Sequence, residues 1–280
     1  MIGPIILRSE LSKADLIKTH QITGGLMGLI CSVFFRKKLV VRAGWEPTYN
    51  SKKWDIGTLK TIFLTINSFL SYQFSDKIIV TTQEIKNFIT KKYFIKNKKI
   101  TIIPNGISTS IFRKIYKERF KDKIISISRL EKQKNLFDLI DVCKLTNLKI
   151  DIIGQGSEKN NLLNYAKKKK VKINFLGNVD NYKIPKILSK YLFYLTTSKA
   201  EGSPKSILEA MACELVIFGL KVQGIENIIK NNINGFLFKN KTQLSEKINS
   251  IKKNYFLLNK LGKNNRKKIQ KYFLVQNCVI

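Results

Sequence analysis

Residues 201–212 carry two glutamates around a predicted anion site. Glu201 lies before a turn and Glu209 lies within the following helix, with seven residues between them. The preceding apolar run at 192–197 predicts a buried strand, and Ser203 and Pro204 are predicted to be the cap and the first residue of the helix. A helix N-terminus offers unpaired N–H groups and the positive end of its dipole, which together bind anions.

This arrangement suits a ligand that carries both phosphate and hydroxyl groups. The N–H groups would bind the phosphate, and the two carboxylates would accept hydrogen bonds from sugar hydroxyls. A simpler interpretation fits this stretch equally well, with Glu201 as a loop acid, Glu209 as a solvated helix acid and residues 202–204 as an ordinary helix start. The rest of the chain has to distinguish the two.

Two basic residues follow another predicted strand. The strand at 124–128 ends at Arg129, and Lys134 lies just before the next predicted helix. A planar guanidinium and a lysine point charge at the end of a parallel sheet suit a diphosphate. The alternative is that both are ordinary members of a set of 52 basic residues. Their position at the same sheet end as Glu201 favours the diphosphate site.

Strand-like and helix-like apolar patterns alternate along the chain. Strands are predicted at 15–19, 38–42, 77–81, 100–103, 124–128, 149–153, 172–176, 192–197, 215–218 and 235–238. Helices are predicted at 22–35, 84–92, 135–145, 158–169, 182–190, 225–230 and 242–253, with a further apolar stripe in helical spacing at 59–70. This alternation predicts α/β architecture, with two doubly wound Rossmann-like domains of parallel βαβ units facing a cleft.

A basic stretch at 113–123 lacks an apolar period and is the expected domain boundary. The expected organisation is a first domain at 1–113, a second at 114–265 and a truncated C-terminal segment at 266–280. Ligands of doubly wound sheets bind at the carboxyl ends of the strands. His20, Arg42, Gly154 and Gly177 all directly follow predicted strands, which strengthens the functional interpretation of these positions.

The net charge of +33 comes from 52 basic and 19 acidic residues. It has three candidate explanations: compositional bias toward Lys, Asn and Ile, attraction to an anionic membrane or phosphate substrate, and nucleic-acid binding. The lysine clusters at 96–99 and 167–170 lack the interleaved aromatic residues that stack on bases. We therefore expect no nucleic-acid partner, while peripheral contact with an anionic membrane remains open.

The four cysteines are far apart and contain no metal-spaced pair, which is typical of a reducing compartment. The longest apolar run, at 25–35, is too short to span a membrane, and the N-terminus lacks the pattern of a secretion signal. The expected location is cytoplasmic, with peripheral contact at the inner face of the cell membrane as the alternative to a free protein.

Several short motifs occur in a fixed order along the chain. They lie at 103–107, 128–130 with 134–135, 154–156, 176–179, 201–213 and 234–237. Together they resemble the retaining glycosyltransferases of family 4 (group 1), which have the GT-B fold. Glu201 and Glu209 match the paired glutamates of that family, and the resemblance covers about residues 15–275.

The resemblance implies a role for each matching residue. Arg129 and Lys134 would hold the donor diphosphate and stabilise the leaving nucleotide, and Glu201 would contact the donor sugar, so these three are the expected catalytic residues. Glu209 would bind the ribose. The implied donor-binding set is Arg129, Lys134, Gly177, Asn178, Val179, Glu201, Gly202, Ser203, Pro204, Lys205 and Glu209. The donor would be a UDP- or GDP-linked sugar bound without a metal ion, in the domain at 114–265, and the domain at 1–113 would bind the acceptor.

The sequence departs from the family pattern at three places. The first Gly-rich loop of the family is missing, so the acceptor domain is expected to be incomplete at its N-terminus. The family's frequent histidine is absent from residues 42–45, and the sole histidine, His20, lies one unit earlier. Residues 213–216 lack the family's turn Gly and Pro, although Gly224 can fill the glycine position of the donor loop.

The expected activity is transfer of a sugar from a nucleoside diphosphate to a glycan or lipid-linked acceptor, in cell-surface polysaccharide or lipopolysaccharide synthesis. Two alternatives stay open at this point. One is a degenerate or split transferase that binds donor without turnover, and the other is a non-enzymatic basic protein that binds anionic membrane or nucleic acid.

Overall fold

The structure, a computed structural model, describes residues 8–49, 57–199 and 201–278. The chain divides into two compact units, Met1–Pro104 and Asn105–Ile280. Each is an α/β unit built on a parallel sheet, as the alternation of apolar patterns predicts. None of the helices in the described part combines the length and the apolar content needed to cross a membrane.

The first unit contains a four-stranded parallel sheet in the order β1-β2-β3-β4. Its strands are β1 (Leu16–Lys18), β2 (Lys38–Ala43), β3 (Lys77–Val80) and β4 (Ile100–Ile102). Its helices are α1 (Arg8–Lys13), α2 (Gly25–Phe34), α3 (Thr58–Phe74) and α4 (Gln83–Tyr93). The core of this unit is formed by alternate residues of β2, by most of β3 and by the buried face of α4.

The second unit contains a six-stranded parallel sheet in the order β10-β9-β8-β5-β6-β7. Its strands are β5 (Phe120–Ile127), β6 (Lys149–Ile153), β7 (Ile173–Gly177), β8 (Tyr191–Thr196), β9 (Val216–Leu220) and β10 (Gly235–Phe238). Its helices are α5 (Leu136–Thr146), α6 (Lys159–Lys169), α7 (Ile184–Leu188), α8 (Lys205–Ala212), α9 (Lys241–Ile251) and α10 (Tyr255–Tyr272).

Every residue of β8 and β9 is buried. Strands that are covered on both faces are continuous apolar runs rather than alternating ones, and this explains why the sequence located them well. The strand order reverses between β5 and β8, which is the topological switch point of the sheet. Doubly wound sheets bind ligands at the carboxyl ends of the strands at such a point.

The second unit begins at Asn105, before the expected boundary after residue 113. Residues 105–119 belong to it because they are bonded to its other elements. The N–H of Ile107 donates to the Phe273 carbonyl at 2.7 Å. Arg119 donates to the carbonyls of Tyr191 and Glu214, at 3.2 Å and 2.9 Å. Strand β5 then begins inside the basic stretch, where basic side chains at its exposed start conceal the strand pattern.

The expected separate C-terminal segment at 266–280 also differs from the structure, because residues 266–272 continue α10. Asn265 donates to the Leu215 carbonyl at 2.7 Å, and Arg266 donates to the Ala212 carbonyl at 2.8 Å. These bonds fix the helix against the end of α8 and the start of β9. The sequence did not indicate α10, whose buried positions are separated by many basic and amide residues.

The predicted helix at 225–230 is wrong, because this segment forms consecutive turns. The side chain of Asn234 accepts from the Lys230 N–H at 2.7 Å and donates to the Ile228 carbonyl at 3.0 Å. The amide group therefore binds backbone groups that a continuing helix would pair internally. This competition is the reason why Asn favours turns over helix interiors.

Candidate functional site

The carboxyl ends of β5, β6 and β8 surround a cavity of about 510 Å³ in the second unit, at the switch point of the sheet. The lining includes these predicted donor-site residues: Arg129, Lys134, Asn178, Val179, Glu201, Ser203, Pro204 and Lys205. Gly177, Gly202 and Glu209 lie outside the lining. The sheet topology thus brings together residues that are distant in the sequence.

Arg129 lines the cavity at a place where two backbone segments pack closely together. Gly154 has a φ of +133°, and a Cβ there would lie 2.1 Å from the Ser128 carbonyl oxygen. The loop is fixed by the Ser128 N–H, which donates to the Ile153 carbonyl at 2.9 Å. Arg129 itself is exposed, and its guanidinium has no partner within residues 8–49, 57–199 and 201–278. It is therefore available to an anionic ligand.

Lys134 and Glu201 form an ion pair in the same cavity, with 2.7 Å between Nζ and Oε1. Their side chains are only 14% and 15% exposed. Lys134 ends a short 3-10 turn that is anchored to the end of β8, because the Thr197 hydroxyl donates to the Asn135 carbonyl at 2.9 Å. The predicted phosphate-binding lysine and the predicted sugar-binding glutamate are thus partners in this structure.

The start of α8 differs from the prediction in its details. The helix begins at Lys205, and Pro204 occupies the cap position with an extended backbone (φ −71°, ψ 102°). Ser203 is therefore not the N-cap, and its carbonyl accepts a hydrogen bond from the Asn105 side chain at 2.7 Å. The N–H groups of Lys205 and Ser206 have no partner in the described part of the chain. The unpaired N–H groups that the sequence predicted for this helix start therefore belong to Lys205 and Ser206.

Glu209 lies inside α8 and is 5% exposed. Burial raises the pKa of its carboxyl, and the charge of Lys205, whose Nζ lies 3.6 Å from Oε1, partly opposes that rise. Gly224 has a φ of +84°, and a Cβ there would lie 2.3 Å from the Gly202 carbonyl oxygen. The absence of a side chain at this position lets the 221–228 segment pack against the turn that carries Glu201.

Sequence reasoning missed three polar residues of β8 and the loop after it. Tyr194, Thr196 and Ser198 all line the cavity, as expected for alternate residues on one face of an extended chain. The Tyr194 hydroxyl lies 3.0 Å from Ser206 Oγ and donates to the Ile127 carbonyl at 3.3 Å. Burial raises the pKa of Tyr194 well above its ordinary value, and the carboxylates of Glu201 and Glu209 raise it further. The two-residue period within the apolar run was the signal that could have identified this face.

The strand ends of the first unit carry a buried carboxyl group that the sequence did not indicate. Glu46, in the loop after β2, accepts hydrogen bonds from Tyr72, from the Thr48 hydroxyl at 2.8 Å and from the Ser68 hydroxyl at 3.3 Å. Burial raises the pKa of Glu46 despite these bonds and the charge of Lys92. This network fixes the loop to α3.

The other strand-end residues singled out by the sequence are placed differently. His20 is exposed after β1. Arg42 lies within β2 rather than after it, and its backbone N–H donates to the Thr19 hydroxyl at 3.1 Å. No group of His, Cys, Asp and Glu side chains among the described residues is arranged to hold a metal ion.

Two family models cover most of the chain. Glycosyl transferases group 1 matches residues 108–268, and Glycosyltransferase Family 4 matches residues 4–111. The chain is 27% identical to a UDP-N-acetylglucosamine–peptide N-acetylglucosaminyltransferase GtfA subunit of Streptococcus agalactiae, over 86% of this chain and 49% of that protein. It is also 27% identical to the UDP-Gal:alpha-D-GlcNAc-diphosphoundecaprenol alpha-1,3-galactosyltransferase of Escherichia coli, over 94% of this chain and 72% of that protein.

Solved structures show the same fold. Anabaena Alr3699/HepE in complex with UDP and glucose has a TM-score of 0.84 at 17% identity, covering 99% of this chain and 80% of that one. The pneumococcal O-GlcNAc transferase GtfA in complex with UDP and GlcNAc has a TM-score of 0.75 at 20% identity, covering 99% and 57%. The chain spans about half the length of the streptococcal relative. The family matches and the shared fold agree: the chain belongs to the group 1 glycosyl transferases and has the GT-B fold.

Proposed function

We propose that this chain is a retaining glycosyltransferase that moves a sugar from a UDP- or GDP-linked donor to a glycan or lipid-linked acceptor, in the synthesis of a cell-surface polysaccharide or lipopolysaccharide. One observation carries the proposal. The cavity at the switch point combines the unpartnered cation of Arg129, the helix start at Lys205 and the carboxylate of Glu201. A sugar linked to a diphosphate needs cations and N–H donors beside hydroxyl acceptors.

The proposed roles follow from the charges around the cavity. Arg129 and Lys134 bind the diphosphate and stabilise the negative charge that grows on the nucleotide as its bond to the sugar breaks. The free N–H groups at the start of α8 contribute the positive end of the helix dipole to the same group. Glu201 accepts hydrogen bonds from the donor sugar. These positive groups are fixed by the fold, so we propose that transfer requires no bound metal ion.

The remaining donor contacts lie around this centre. Asn178 and Val179, after β7, also line the cavity and are proposed to contact the base. Glu209 is proposed to bind the ribose hydroxyls, and its ion pair with Lys205 partly opposes the rise in the pKa of its carboxyl that burial causes. The names of the streptococcal and Escherichia coli relatives specify UDP-linked donors, which supports the proposed donor class.

The experiment is a thermal-shift screen of nucleotide sugars followed by titration of the best ligand. A ligand that binds only the folded state raises its melting temperature. Arg129→Ala should weaken binding of the selected donor at least tenfold, because a charge-assisted phosphate contact is worth about 1.5–3 kcal/mol. The matched control is Arg113→Ala, which removes another exposed arginine of the same unit.

Turnover is measured separately, by transfer to lipid-linked and free glycan acceptors in the presence and absence of a chelator. The anomeric configuration of the product, determined by NMR, tests the retaining mechanism. Donor binding without transfer or hydrolysis would support the alternative of a chain that binds donor without turnover. Equal loss of binding in Arg129→Ala and Arg113→Ala would refute the proposed site.

A further inference from the structure

The long helix α3 of the first unit has an inverted distribution of polarity. Its buried residues are Asn67, Ser68, Ser71 and Tyr72. Its exposed large apolar residues in helical spacing form what we call the apolar face: Leu59, Ile62, Phe63, Ile66 and Phe69. The sequence correctly indicates the helical stripe, but a stripe of this kind normally faces a core. Here it faces outward.

Hydrogen bonds fix this orientation. The Asn67 side chain accepts from the Leu26 N–H at 2.9 Å and donates to the Ile22 carbonyl at 2.8 Å. Ser68 and Tyr72 donate to the buried carboxyl of Glu46. Rotation of α3 to bury the apolar face would break these bonds and leave the polar groups unpaired, which is costly inside a protein. The apolar face is therefore a fixed outer surface of the unit.

The apolar face is large and strongly exposed. Leu59 is 85% exposed, Phe63 is 62% exposed and Ile66 is 54% exposed. The neighbouring helix α2, which packs against α3, also exposes Val33 and Phe34. The helical spacing of the α3 residues makes their exposed surface contiguous, and a contiguous apolar patch of this kind marks an interaction site in soluble proteins.

The charges of these two helices indicate the occupant. Neither α2 nor α3 contains an Asp or Glu, while Lys60 lies within α3 and residues 36–38, directly after α2, are all basic. A helix with apolar and aromatic residues on one side and cations nearby has the composition of helices that bind at the interface of an anionic membrane. A protein partner for such a face would need a matching apolar surface without basic residues, whereas anionic lipid supplies both properties at once.

We propose that the apolar face of α3 docks onto the surface of an anionic lipid membrane, with its apolar side chains below the headgroups and Lys60 and residues 36–38 at the level of the phosphates. The proposal goes beyond glycosyl transfer and does not depend on the donor site, because every residue involved lies in the first unit. Docking on this face would hold the unit flat on the membrane without spanning it.

The test is flotation of the full chain with vesicles of phosphatidylcholine alone and of phosphatidylcholine mixed with phosphatidylglycerol. Binding to the mixed vesicles is expected, with weaker binding at high salt. The combined variant Ile62→Ser, Phe63→Ser, Ile66→Ser should reduce the partition coefficient at least tenfold, since each burial of a large apolar side chain changes an equilibrium by about that factor. The matched control is Phe256→Ser, which removes an aromatic side chain that is 83% exposed in the second unit.

A charge comparison separates specific docking from general attraction by the +33 chain. Lys60→Glu combined with Lys38→Glu should reduce vesicle binding more than Lys167→Glu combined with Lys168→Glu, an equal change in charge in the second unit. A separate readout is Phe63→Trp, whose fluorescence should shift to the blue on vesicle binding and be quenched by brominated lipid.

Three results would overturn the proposal. Equal loss of binding in the two charge variants would show that the net charge alone is responsible. Unchanged flotation of the serine variant would exclude the apolar face. A serine variant that converts an oligomer to a monomer without changing vesicle binding would assign the face to a protein interface. Donor titration of each variant should match the unchanged chain, so a failure of docking is distinct from a failure of the proposed function.

Discussion

The ion pair between Lys134 and Glu201 leads to a specific prediction about how the site distinguishes an intact donor from its nucleotide product. A bound diphosphate competes with Glu201 for the ammonium group of Lys134. With an intact donor, the sugar hydroxyls replace that ammonium as partners of the Glu201 carboxylate. With a nucleoside diphosphate alone, the carboxylate loses its partner in a site where its side chain is only 15% exposed. The pair should therefore weaken binding of the product more than binding of the donor.

The magnitude follows from the geometry of the pair. Two unit charges 2.7 Å apart attract by about 6 kcal/mol at an effective dielectric constant of about 20, before the cost of removing both from water. That cost cancels most of the attraction for largely buried pairs, which leaves a net coupling of about 1–2 kcal/mol. One to two kcal/mol corresponds to about a five- to thirtyfold change in an affinity.

The perturbation is Glu201→Gln, which keeps the shape of the side chain and removes its charge. Affinity for the nucleoside diphosphate should rise about five- to thirtyfold because Lys134 becomes free, while affinity for the nucleotide sugar should fall. Isothermal titration calorimetry with both ligands measures the two changes, and Glu246→Gln, at an exposed position of α9, is the matched control. An equal loss of affinity for both ligands, or no change in either, would show that Glu201 does not compete with the diphosphate for Lys134.

Three further predictions test the packing around the cavity of the second unit and around the buried carboxyl of Glu46 in the first unit. Gly154→Ala should destabilise the chain by about 2–4 kcal/mol in urea unfolding, because the new Cβ would overlap the Ser128 carbonyl oxygen and residue 154 has a φ of +133°. The control Gly57→Ala, where a Cβ would lie in open space, should change stability by less than about 1 kcal/mol. Burial raises the pKa of Glu46 above 4.5, so the stability that its neutral carboxyl contributes is complete at lower pH and is lost as the pH rises through the raised pKa. Glu46→Gln should flatten that decline of stability in unfolding experiments over a pH series. An unchanged slope would contradict the raised pKa of Glu46. Tyr194→Phe should cost about 1 kcal/mol of stability, because it removes the hydroxyl that contacts Ser206 and Ile127. The same unfolding method measures the change, and a neutral effect would show that these contacts contribute nothing.

The sequence predicted the architecture well because parallel strands have a strong signature. Strands β8 and β9 are buried on both faces and are therefore continuous apolar runs. Elements with a small buried part and a largely basic, exposed part were harder to identify. Strand β5 begins among exposed basic side chains, and α10 has only a narrow buried face within eighteen residues. Apolar periodicity alone cannot detect an element whose exposed side dominates its composition.

The site was predictable to the extent that it depends on topology. The carboxyl ends of neighbouring strands must meet, so Arg129, Lys134 and Glu201 can be grouped from the sequence alone. Backbone details were not predictable, since the start of α8 depends on the extended conformation of Pro204. The same limit applies to the apolar stripe of α3, because its direction is decided by hydrogen bonds to Glu46 and to backbone groups that are distant in the sequence.

The central claim is that the cavity at the switch point of the second unit binds a nucleoside diphosphate sugar. A crystal structure of the chain with the nucleotide sugar selected by the thermal-shift screen tests it most directly. We expect the diphosphate within hydrogen-bond distance of Arg129, Lys134 and the backbone N–H of Ser206, with the sugar hydroxyls bonded to Glu201. Density for the ligand at any other position, or a diphosphate without contact to Arg129 and Lys134, would contradict it.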